Sequence, residues 1–367
     1  MKHKQTIIFI AGGLNLPDII KRIKTFYNSD YEIEVYGFDR ENYMNINSLP
    51  DGIKPINLGR IEDGKNYIRS FFFHRKKLLP IFANNKKKDV VYFCFGFFPA
   101  FWAALYCKKK FIYQVPDLNY LNLSNSLLVN LFRRIDKYII RKSALTIFSS
   151  YGFKNYLFGI GLLSNILVQP NKMNVFFKDV QRDLESLPQN KGISFGFIGG
   201  LRYPNTVFRF AKVVGTYFPM HRFLFYGDGH FRDEVADIAT TYENVHFYGK
   251  FKNPEDLMDI YTKIDVVVAC YDTSTMNERI AEPNKLYESL FFTKPIIVSE
   301  NTFLSERVRD LQCGFAIDAT VDQNIIHFIK SLTILQINEI KEKIFSINKS
   351  EIIDDPQAVF NCIDKLI

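Results

Sequence analysis

The second half of the sequence repeats one pattern, in which a short apolar run ends in glycine and a stretch with helical spacing follows. A strand, a glycine turn and a helix, repeated in this way, are typical of a doubly wound parallel sheet with helices on both faces. We therefore predict an α/β domain at residues 193–350. The runs and their turns are 194–198 with Gly199-Gly200, 222–226 with Gly227-Asp228-Gly229, 244–248 with Gly249-Lys250, and a last run at 265–269.

The first half of the sequence begins in a similar way. The apolar run at 6–11 ends in Gly12-Gly13, helical spacing follows at 16–27, and residues 31–37 alternate like a strand. This order predicts a second Rossmann-like sheet, in a domain spanning 1–175. The glycine pair lacks the G-x-G-x-x-G pattern of dinucleotide sites, so a tight turn is the simpler interpretation.

Other segments of the first half and the middle of the chain have their own signatures. Residues 38–60 are polar and turn-rich, whereas 62–84 has the composition of a helix. The polar stretch 176–192, which ends in PQNKG, is predicted to be an interdomain linker. Further strands are expected at 90–95, 111–115, 145–149 and 165–168.

Residues 277–298, NERIAEPNKLYESLFFTKPIIV, combine a helix start with polar side chains. Pro283 suits the first turn of a helix, because its missing N–H has no partner there. Unbonded N–H groups at a helix start favour a phosphate, and Lys285 adds a cation. Glu288, one turn further on, can accept hydrogen bonds from a sugar diol. The pattern predicts a nucleotide-sugar pocket; the alternative is a capped amphipathic helix whose charges are solvated.

The segment PNKLYESLFFTKPIIVSE resembles the nucleotide-binding segment of glycosyltransferases with the GT-B fold, especially glycosyltransferase family 4. The ordered fragments FIGGLR, FYGDG, NVHFYGKF, LMDIYTKIDVVVACYD and KPIIVSE resemble the donor domain of that family along its length. The resemblance implies two Rossmann-like domains that face a cleft, and transfer of a sugar from a nucleotide donor to a glycan. It also implies that a helix within 351–367 crosses back to the first domain.

Members of this family carry two glutamates, eight positions apart, around the helix start. Glu288 matches the second glutamate, which binds the donor ribose. The first contacts the donor sugar, and its position holds Ile280, with Glu278 and Glu282 two residues to either side. The resemblance therefore makes Glu282 the candidate for the sugar contact.

Asp117, in the stretch FIYQVPDL, matches the aspartate of a family His-Asp pair whose histidine position holds Pro116. It would lie where a parallel strand ends and lines the ligand crevice, so we expect it to contact the acceptor or the donor sugar. The alternative is an aspartate that caps a turn. The resemblance assigns the diphosphate to Arg202 and Lys285 and the base to the loop at Lys250. The other positions implied in donor binding are Gly12, Gly13, Gly200, Asn284 and Leu286.

Charge is unevenly distributed along the chain. Residues 1–190 carry 28 Lys and Arg against 15 Asp and Glu, a net charge of +13, whereas the remainder carries −5. The basic half predicts an anionic membrane surface as a partner, rather than nucleic acid, because Phe71–Phe73 and Trp102 accompany the basic clusters. The basic helix expected at 124–142 is predicted to place six residues inward: Leu127, Leu128, Leu131, Ile135, Tyr138 and Ile139. The apolar stretch 90–107 is broken by Gly96 and Pro99, so we expect a buried strand and helix rather than a membrane span.

Five scattered cysteines, without C-x-x-C or a zinc spacing, indicate a reduced cytoplasmic protein with no structural metal. The predicted activity is metal-independent glycosyl transfer from a UDP- or GDP-sugar to a polyprenyl-linked surface polysaccharide, with retention and with no cofactor. The location expected for it is the inner face of the membrane. Two alternatives stay open: a sugar-nucleotide 2-epimerase of the same fold, and a non-catalytic partner of another transferase.

Overall fold

The computed structural model describes residues 5–14, 17–27, 29–40, 49–61, 67–84, 90–159, 161, 163–189 and 192–366. The chain divides into two compact units. The first unit comprises Met1–Pro170 together with Pro356–Ile367, and the second comprises Asn171–Asp355. Each unit is built around its own parallel sheet, as the repeated strand–turn–helix pattern predicts.

The first unit contains a seven-stranded parallel sheet in the order β3-β2-β1-β4-β5-β6-β7. Strands β2 and β3 lie on one side of β1, and β4 to β7 lie on the other, so the strand order reverses at β1. The strands are β1 Thr6–Ala11, β2 Glu32–Arg40, β3 Ile56–Ile61, β4 Val90–Phe95, β5 Phe111–Val115, β6 Leu145–Phe148 and β7 Ile166–Val168.

Helices α1 to α5 connect these strands, and a later helix, α15, completes the unit. They are α1 Pro17–Tyr27, α2 Tyr67–Asn84, α3 Phe97–Tyr106, α4 Ser126–Lys142, α5 Tyr151–Phe158 and α15 Gln357–Asp364. Helix α15 places Val359 and Ile363, both fully buried, in the same apolar cluster as Phe9 and Phe26. The last helix of the sequence is therefore part of the core of the first unit.

Most of strand β3 and the end of β2 lie in the stretch 38–60, whose polar sequence predicted turns. That expectation is wrong for these residues. Buried and exposed residues do not alternate regularly along INLGRI, because Gly59 adopts φ 115° and the register with β2 shifts nearby. Only Leu58 and Ile61 of this edge strand are buried. Residues 62–66 of the predicted helix 62–84 lie outside the described residues.

The apolar stretch 90–107 forms strand β4 and helix α3, as predicted. No helix among the described residues is both long and apolar enough to cross a bilayer. Trp102 on α3 is buried in contact with Phe71. It is therefore not available to contact a membrane surface, as was predicted from its position beside a basic cluster.

The leucines at the start of α4 point away from the core. Leu127, Leu128 and Leu131 are exposed, as is Tyr138, whereas Asp136, Ile139 and Ile140 are buried. The prediction that these residues pack inward is therefore wrong for Leu127, Leu128, Leu131 and Tyr138. Ile139 is buried as predicted, and Ile135 is half-buried. The helical spacing of this segment is compatible with two choices of buried face, and the core selects the one that contains Asp136.

The second unit contains a six-stranded parallel sheet in the order β10-β9-β8-β11-β12-β13. Strand β8 is the turning point, because β9 and β10 lie on one side of it and β11 to β13 on the other. The strands are β8 Ser194–Gly200, β9 Arg222–Asp228, β10 Val245–Phe247, β11 Val266–Ala269, β12 Ile296–Ser299 and β13 Gly314–Ile317.

Nine helices, α6 to α14, belong to the described part of the second unit and cover both faces of its sheet. They are α6 Arg209–Tyr217, α7 Arg232–Thr241, α8 Leu257–Thr262, α9 Met276–Ile280, α10 Asn284–Phe291, α11 Phe303–Leu311, α12 Asp322–Ser331, α13 Ile334–Ser346 and α14 Lys349–Ile352. One apolar cluster contains buried residues of α6, α7 and α12. A second contains buried residues of α8, α10 and α11, which carry the polar residues considered below.

The predicted linker, 176–192, falls within the second unit. Phe177 is fully buried and packs against Phe291 and Phe292 of the second apolar cluster. Arg182 donates hydrogen bonds to five backbone carbonyls near the ends of α10 and α13. This part of the segment is consequently held against its own unit by both apolar and polar contacts.

Candidate functional site

The site lies at the carboxyl end of β8, where the strand order of the second unit reverses. In open parallel sheets, ligands bind in the crevice at such a point. Gly199 and Gly227 have φ values of 140° and 147°, which residues other than glycine rarely adopt. A Cβ atom on Gly227 would also lie 1.8 Å from the carbonyl oxygen of Gly199. Glycine is therefore required for the ends of β8 and β9 to approach this closely.

Arg202 and Tyr203 follow the glycine pair after one intervening residue, Leu201. Tyr203 adopts a left-handed conformation, with φ 73°, and its ring stacks on that of Tyr271 at a centroid distance of 4.7 Å. The next residues, 204–208, form a single turn of π-helix. Both features are energetically unfavourable locally and are frequent at functional sites. They leave the Arg202 side chain exposed beside Gly200, so its guanidinium is accessible to a ligand.

Lys285, at the start of α10, also lies beside this strand end. Its Cε would lie 3.6 Å from a Cβ placed on Gly199, and its side chain is almost completely buried. The first N–H groups of a helix have no partner within the helix. Pro283, the residue preceding α10, provides no side-chain cap. Two cations and a helix start thus converge on the Gly199-Gly200 turn, an arrangement suited to binding an anion.

Glu288 is enclosed rather than solvated. Its Oε2 accepts hydrogen bonds from Lys285 Nζ at 2.6 Å and from Tyr261 at 2.8 Å, and its Oε1 accepts one from Asn284 at 2.6 Å. Burial, together with the charge of Glu288, raises the pKa of Tyr261 well above its usual value. The alternative in which these charges are solvated on the surface of an amphipathic helix is therefore wrong for Lys285 and Glu288.

The two glutamates beside Ile280 have different surroundings. The side chain of Glu282 has no exposed surface; its Oε1 accepts hydrogen bonds from Tyr287 and Arg307, and its Oε2, like that of Glu278, has no hydrogen-bond partner among the described residues. Glu278 on α9 is partly exposed, although its Oε2 is buried without a hydrogen-bond partner among the described residues. Burial raises the pKa of Glu278, and the charge of nearby Arg202 acts against this rise. Glu278 is therefore the carboxylate that a ligand beside Arg202 can reach.

The remaining donor-side predictions have separate positions. Lys250, three residues after β10, is exposed and pairs at 3.1 Å with Asp228, the last residue of β9. Next to it, the exposed ring of Tyr248 stacks on Tyr226 at 4.6 Å, which leaves one face of an aromatic ring open. Leu286 is fully buried in the core, so only its backbone faces the helix start. Tyr248 is a candidate that sequence reasoning missed, although it immediately precedes the glycine turn.

In the first unit, the predicted residues follow strand ends. Gly12 and Gly13 follow β1, where the strand order reverses, and Asp117 is exposed two residues after β5. A Cβ on Gly12 would meet the carbonyl oxygen of Phe95 at 3.5 Å, an ordinary contact, so packing does not require glycine there. The carboxyl ends of β1 and β5 share one edge of this sheet, as parallel pairing dictates.

Sequence reasoning did not identify the buried carboxylate of Asp136 as important. Asp136 on α4 has no exposed surface, and its two oxygens accept hydrogen bonds from Tyr113 at 2.9 Å and Tyr120 at 3.0 Å. Burial raises its pKa to about 7, against the opposing effect of these two hydrogen bonds. A single aspartate among the basic residues of α4 was the only available signal.

Among the described residues, no three His, Cys, Asp or Glu side chains form a group that could hold a metal ion. All five cysteines are free thiols. Three of them, Cys94, Cys270 and Cys313, are buried, and burial raises the pKa of each. Raised pKa values keep these thiols protonated and unreactive at neutral pH.

Comparison with solved structures shows that the chain has the GT-B fold of glycosyltransferases. Sucrose-phosphate synthase from Thermosynechococcus elongatus superimposes with a TM-score of 0.71 at 13% identity, covering 99% of this chain and 98% of that one. HepE of Anabaena, solved with UDP-glucose, gives a TM-score of 0.66 at 12% identity, with 99% of each chain covered.

Sequence comparison supports the same classification. Residues 192–333 match the family described as "Glycosyl transferases group 1". The chain is also 23% identical, over 306 residues, to the succinoglycan biosynthesis protein ExoL of Rhizobium meliloti (strain 1021), covering 77% of this chain and 73% of ExoL. These matches confirm the resemblance to GT-B glycosyltransferases that the motifs of the second half indicated.

Proposed function

We propose that this protein transfers a sugar from a nucleoside-diphosphate sugar to a growing, lipid-linked surface polysaccharide, with retention of the anomeric configuration. In this reaction the bond between the anomeric carbon and the β-phosphate oxygen breaks, and an acceptor hydroxyl oxygen bonds to that carbon on the same face of the sugar. The hydroxyl proton passes to the departing nucleoside diphosphate. The observation that carries the proposal is the convergence of Arg202, Lys285 and the start of α10 on the Gly199-Gly200 turn.

The diphosphate would lie against this turn. Arg202 is accessible, and Lys285 is held in place by its ion pair with Glu288. Positive charge fixed in advance stabilises the negative charge that develops on a departing nucleoside diphosphate. We therefore propose that the reaction needs no divalent metal, because the two cations and the helix start provide this stabilisation.

Glu288 would have two roles at this site. Its carboxylate orients Lys285, and one turn into α10 it is placed to accept hydrogen bonds from the donor ribose, in exchange for those of Asn284 or Tyr261. We assign the donor-sugar contact to Glu278, which is reachable, and a positioning role to Glu282, which holds Tyr287 and Arg307. The exposed ring of Tyr248, beside Lys250, would stack on the base.

The substrates are proposed from chemistry and from similarity. HepE was solved with UDP-glucose and shares this fold, which supports a uridine nucleotide as the first donor to test and a GDP-sugar as the second. ExoL is a succinoglycan biosynthesis protein, which supports a surface polysaccharide as the product. On the first unit, Asp117 at the end of β5 is the residue we propose for the acceptor, and Gly12 and Gly13 for the approach of the donor phosphates.

A panel of UDP-, GDP-, ADP- and CMP-sugars tests this function. We expect one nucleotide sugar to raise the melting temperature and to be hydrolysed slowly, at the same rate with EDTA as with Mn²⁺ or Mg²⁺. Arg202→Gln should weaken binding about tenfold or more, since a hydrogen bond to a charged group contributes about 1.5–3 kcal/mol. Arg309→Gln, which removes an exposed arginine from α11, serves as the control.

Other results would point to the alternatives. Conversion of the nucleotide sugar to its 2-epimer, without release of nucleoside diphosphate, would identify an epimerase. Absence of binding by every member of the panel would favour a non-catalytic partner of another transferase. Loss of turnover with EDTA, restored by Mn²⁺, would overturn the metal-independent mechanism.

A further inference from the structure

One face of α4 in the first unit is exposed along its whole length. Leu127, Leu131, Arg134, Tyr138 and Arg141 recur at intervals of three or four residues, so they share one side of the helix. All five are exposed, and Leu127 is 77% exposed. We call these five residues the α4 face; Leu128 and Lys142, also exposed, lie at its border.

The α4 face is apolar at the start of the helix and basic towards its end. Its leucines occupy the first two turns, and its two arginines follow. The helix has a single acidic residue, Asp136, which is completely buried against Tyr113 and Tyr120. The exposed surface of α4 is therefore free of negative charge.

Two further cations of α4 are held beside the neighbouring helix α5. The guanidinium of Arg133 lies 5.8 Å from the centre of the Tyr156 ring, and Lys137 Nζ lies 5.5 Å from that of Phe158. These contacts keep positive charge close to the α4 face without covering its leucines. The result is an apolar patch bordered by cations, which is the composition of helices that lie in the interface of an anionic bilayer.

We propose that the α4 face docks the first unit onto an anionic membrane, with Leu127 and Leu131 inserted between the headgroups. Exposed leucines gain free energy when an apolar medium covers them, and cations gain it near negative headgroups. A protein partner would bury leucines equally well. The cations around the leucines, with no acidic residue exposed on α4, favour a negatively charged surface. Trp102 does not contribute to this patch, since it is buried. Phe72 is exposed, but it lies on α2 and is not part of the α4 face.

The position of the patch gives it a role in the reaction, in a step that rests on the function proposed above. A helix that follows a parallel strand starts at the carboxyl edge of the sheet. Leu127 is in the first turn of α4, and Asp117 follows β5, so both belong to that edge of the first unit. Docking through the leucines would bring the proposed acceptor residue towards the headgroups, where a lipid-linked glycan begins.

Sedimentation with vesicles of phosphatidylglycerol and phosphatidylcholine tests the proposal on the full-length protein. We expect binding that falls as salt rises, and little binding to phosphatidylcholine alone. The variant Leu127→Gln/Leu131→Gln should bind anionic vesicles about tenfold more weakly or worse. Leu335→Gln is the control, because Leu335 is also an exposed leucine but lies on helix α13 of the second unit.

A charge variant examines the basic end separately. Arg134→Gln/Arg141→Gln should lose roughly fivefold per cation, since each contributes about 1 kcal/mol near an anionic surface. Lys330→Gln/Lys343→Gln removes the same charge from the second unit and should bind as the wild type does. If the control pair weakens binding as much as the α4 pair, net charge rather than the α4 face is responsible, and the proposal is overturned.

Three further results would also overturn it. These are no binding of the wild type to anionic vesicles, unchanged binding by the leucine variant, and self-association in solution that the leucine variant abolishes. Calorimetry with the nucleotide sugar, in the absence of vesicles, tests the proposed function independently. A protein that binds vesicles through α4 and no nucleotide sugar would refute the function while leaving the membrane surface in place.

Discussion

Lys285 and Glu288 form an ion pair that is almost entirely withdrawn from water: Nζ lies 2.6 Å from Oε2, and the two side chains are 7% and 3% exposed. A buried pair of this kind contributes little net stability, but removing one partner leaves an uncompensated charge. The proposed donor site of the second unit is therefore built around an ion pair that also affects the stability of the fold.

Glu288→Ala should lower the free energy of unfolding by about 3–5 kcal/mol, because Lys285 would remain buried without its partner. Glu288→Gln should cost less, since an amide can still accept hydrogen bonds from Tyr261 or Lys285, yet it should weaken nucleotide-sugar binding about tenfold or more. Urea unfolding followed by circular dichroism, together with calorimetry, measures both effects. Glu306→Ala, at an exposed position of α11, should leave both unchanged. Wild-type stability in Glu288→Ala would show that the pair is not buried in solution.

Substitutions of Glu278 and Glu282 should have different effects, one on ligand binding and the other on stability. Glu278→Gln should weaken binding of the intact nucleotide sugar about tenfold while leaving binding of the free nucleoside diphosphate unchanged, because only the former carries the sugar. Glu282→Gln should reduce stability, since it alters the acceptor of Tyr287 and Arg307, and should keep the ratio of the two affinities. Calorimetric titration with both ligands provides the comparison. The opposite pattern would return the sugar contact to Glu282.

The architecture was accessible from sequence because the apolar runs and their glycines recur in order. Buried strand residues, such as all of β11 and the first five residues of β8, form short apolar segments. At the end of β9, Gly227 is needed for the close approach to Gly199. Which side chains a ligand can contact could not be predicted from the sequence in the same way. Glu278 and Glu282 are both glutamates near the helix start, and only packing distinguishes the reachable carboxylate from the enclosed one.

Asp136 should make the stability of the first unit depend on pH. Its pKa is raised from 3.8 to about 7 in the folded state, so folding favours the protonated carboxyl. The corresponding stability is fully present below pH 4 and is lost as the pH rises through 7, by roughly 4 kcal/mol in total.

The single tryptophan of the chain, Trp102, lies buried in the first unit, so its fluorescence reports the unfolding of that unit. Asp136→Asn should remove the fall in stability between about pH 4 and 7 and should be the more stable protein at pH 8. Asp237→Asn, at an exposed position in the second unit, is the control. An unchanged pH profile in Asp136→Asn would exclude this carboxyl as its source.

The exposed leucines of α4 show a second limit of sequence reasoning. Helical periodicity identifies an amphipathic helix but assumes that its apolar side is buried. In α4 a buried carboxylate accepts hydrogen bonds from two tyrosines, so the face that contains Asp136 packs inward and Leu127 remains outside. Polar groups that satisfy one another across distant segments leave no periodic pattern in a single sequence.

Arg182 should be a major contributor to the stability of the second unit. Its guanidinium donates five hydrogen bonds of 2.7–3.3 Å to backbone carbonyls, which a lysine ammonium cannot reproduce. Arg182→Lys should therefore lower the free energy of unfolding by about 3 kcal/mol or more. Arg209→Lys, whose wild-type residue forms an exposed ion pair with Asp322, should change it by less than about 1 kcal/mol. Equal effects in urea titrations would contradict the role assigned to Arg182.

Helix α15 affects the order in which the two units can fold during synthesis. Its residues Val359 and Ile363 complete an apolar cluster whose other members lie in the first 170 residues, so that cluster stays open to water until the ribosome has made α15. The second unit, Asn171–Asp355, is fully synthesised before then. Because domains generally fold as they emerge, the later-coded unit can reach its native state first, while the earlier one waits with unprotected apolar surface. That interval is when the nascent chain is most dependent on chaperones.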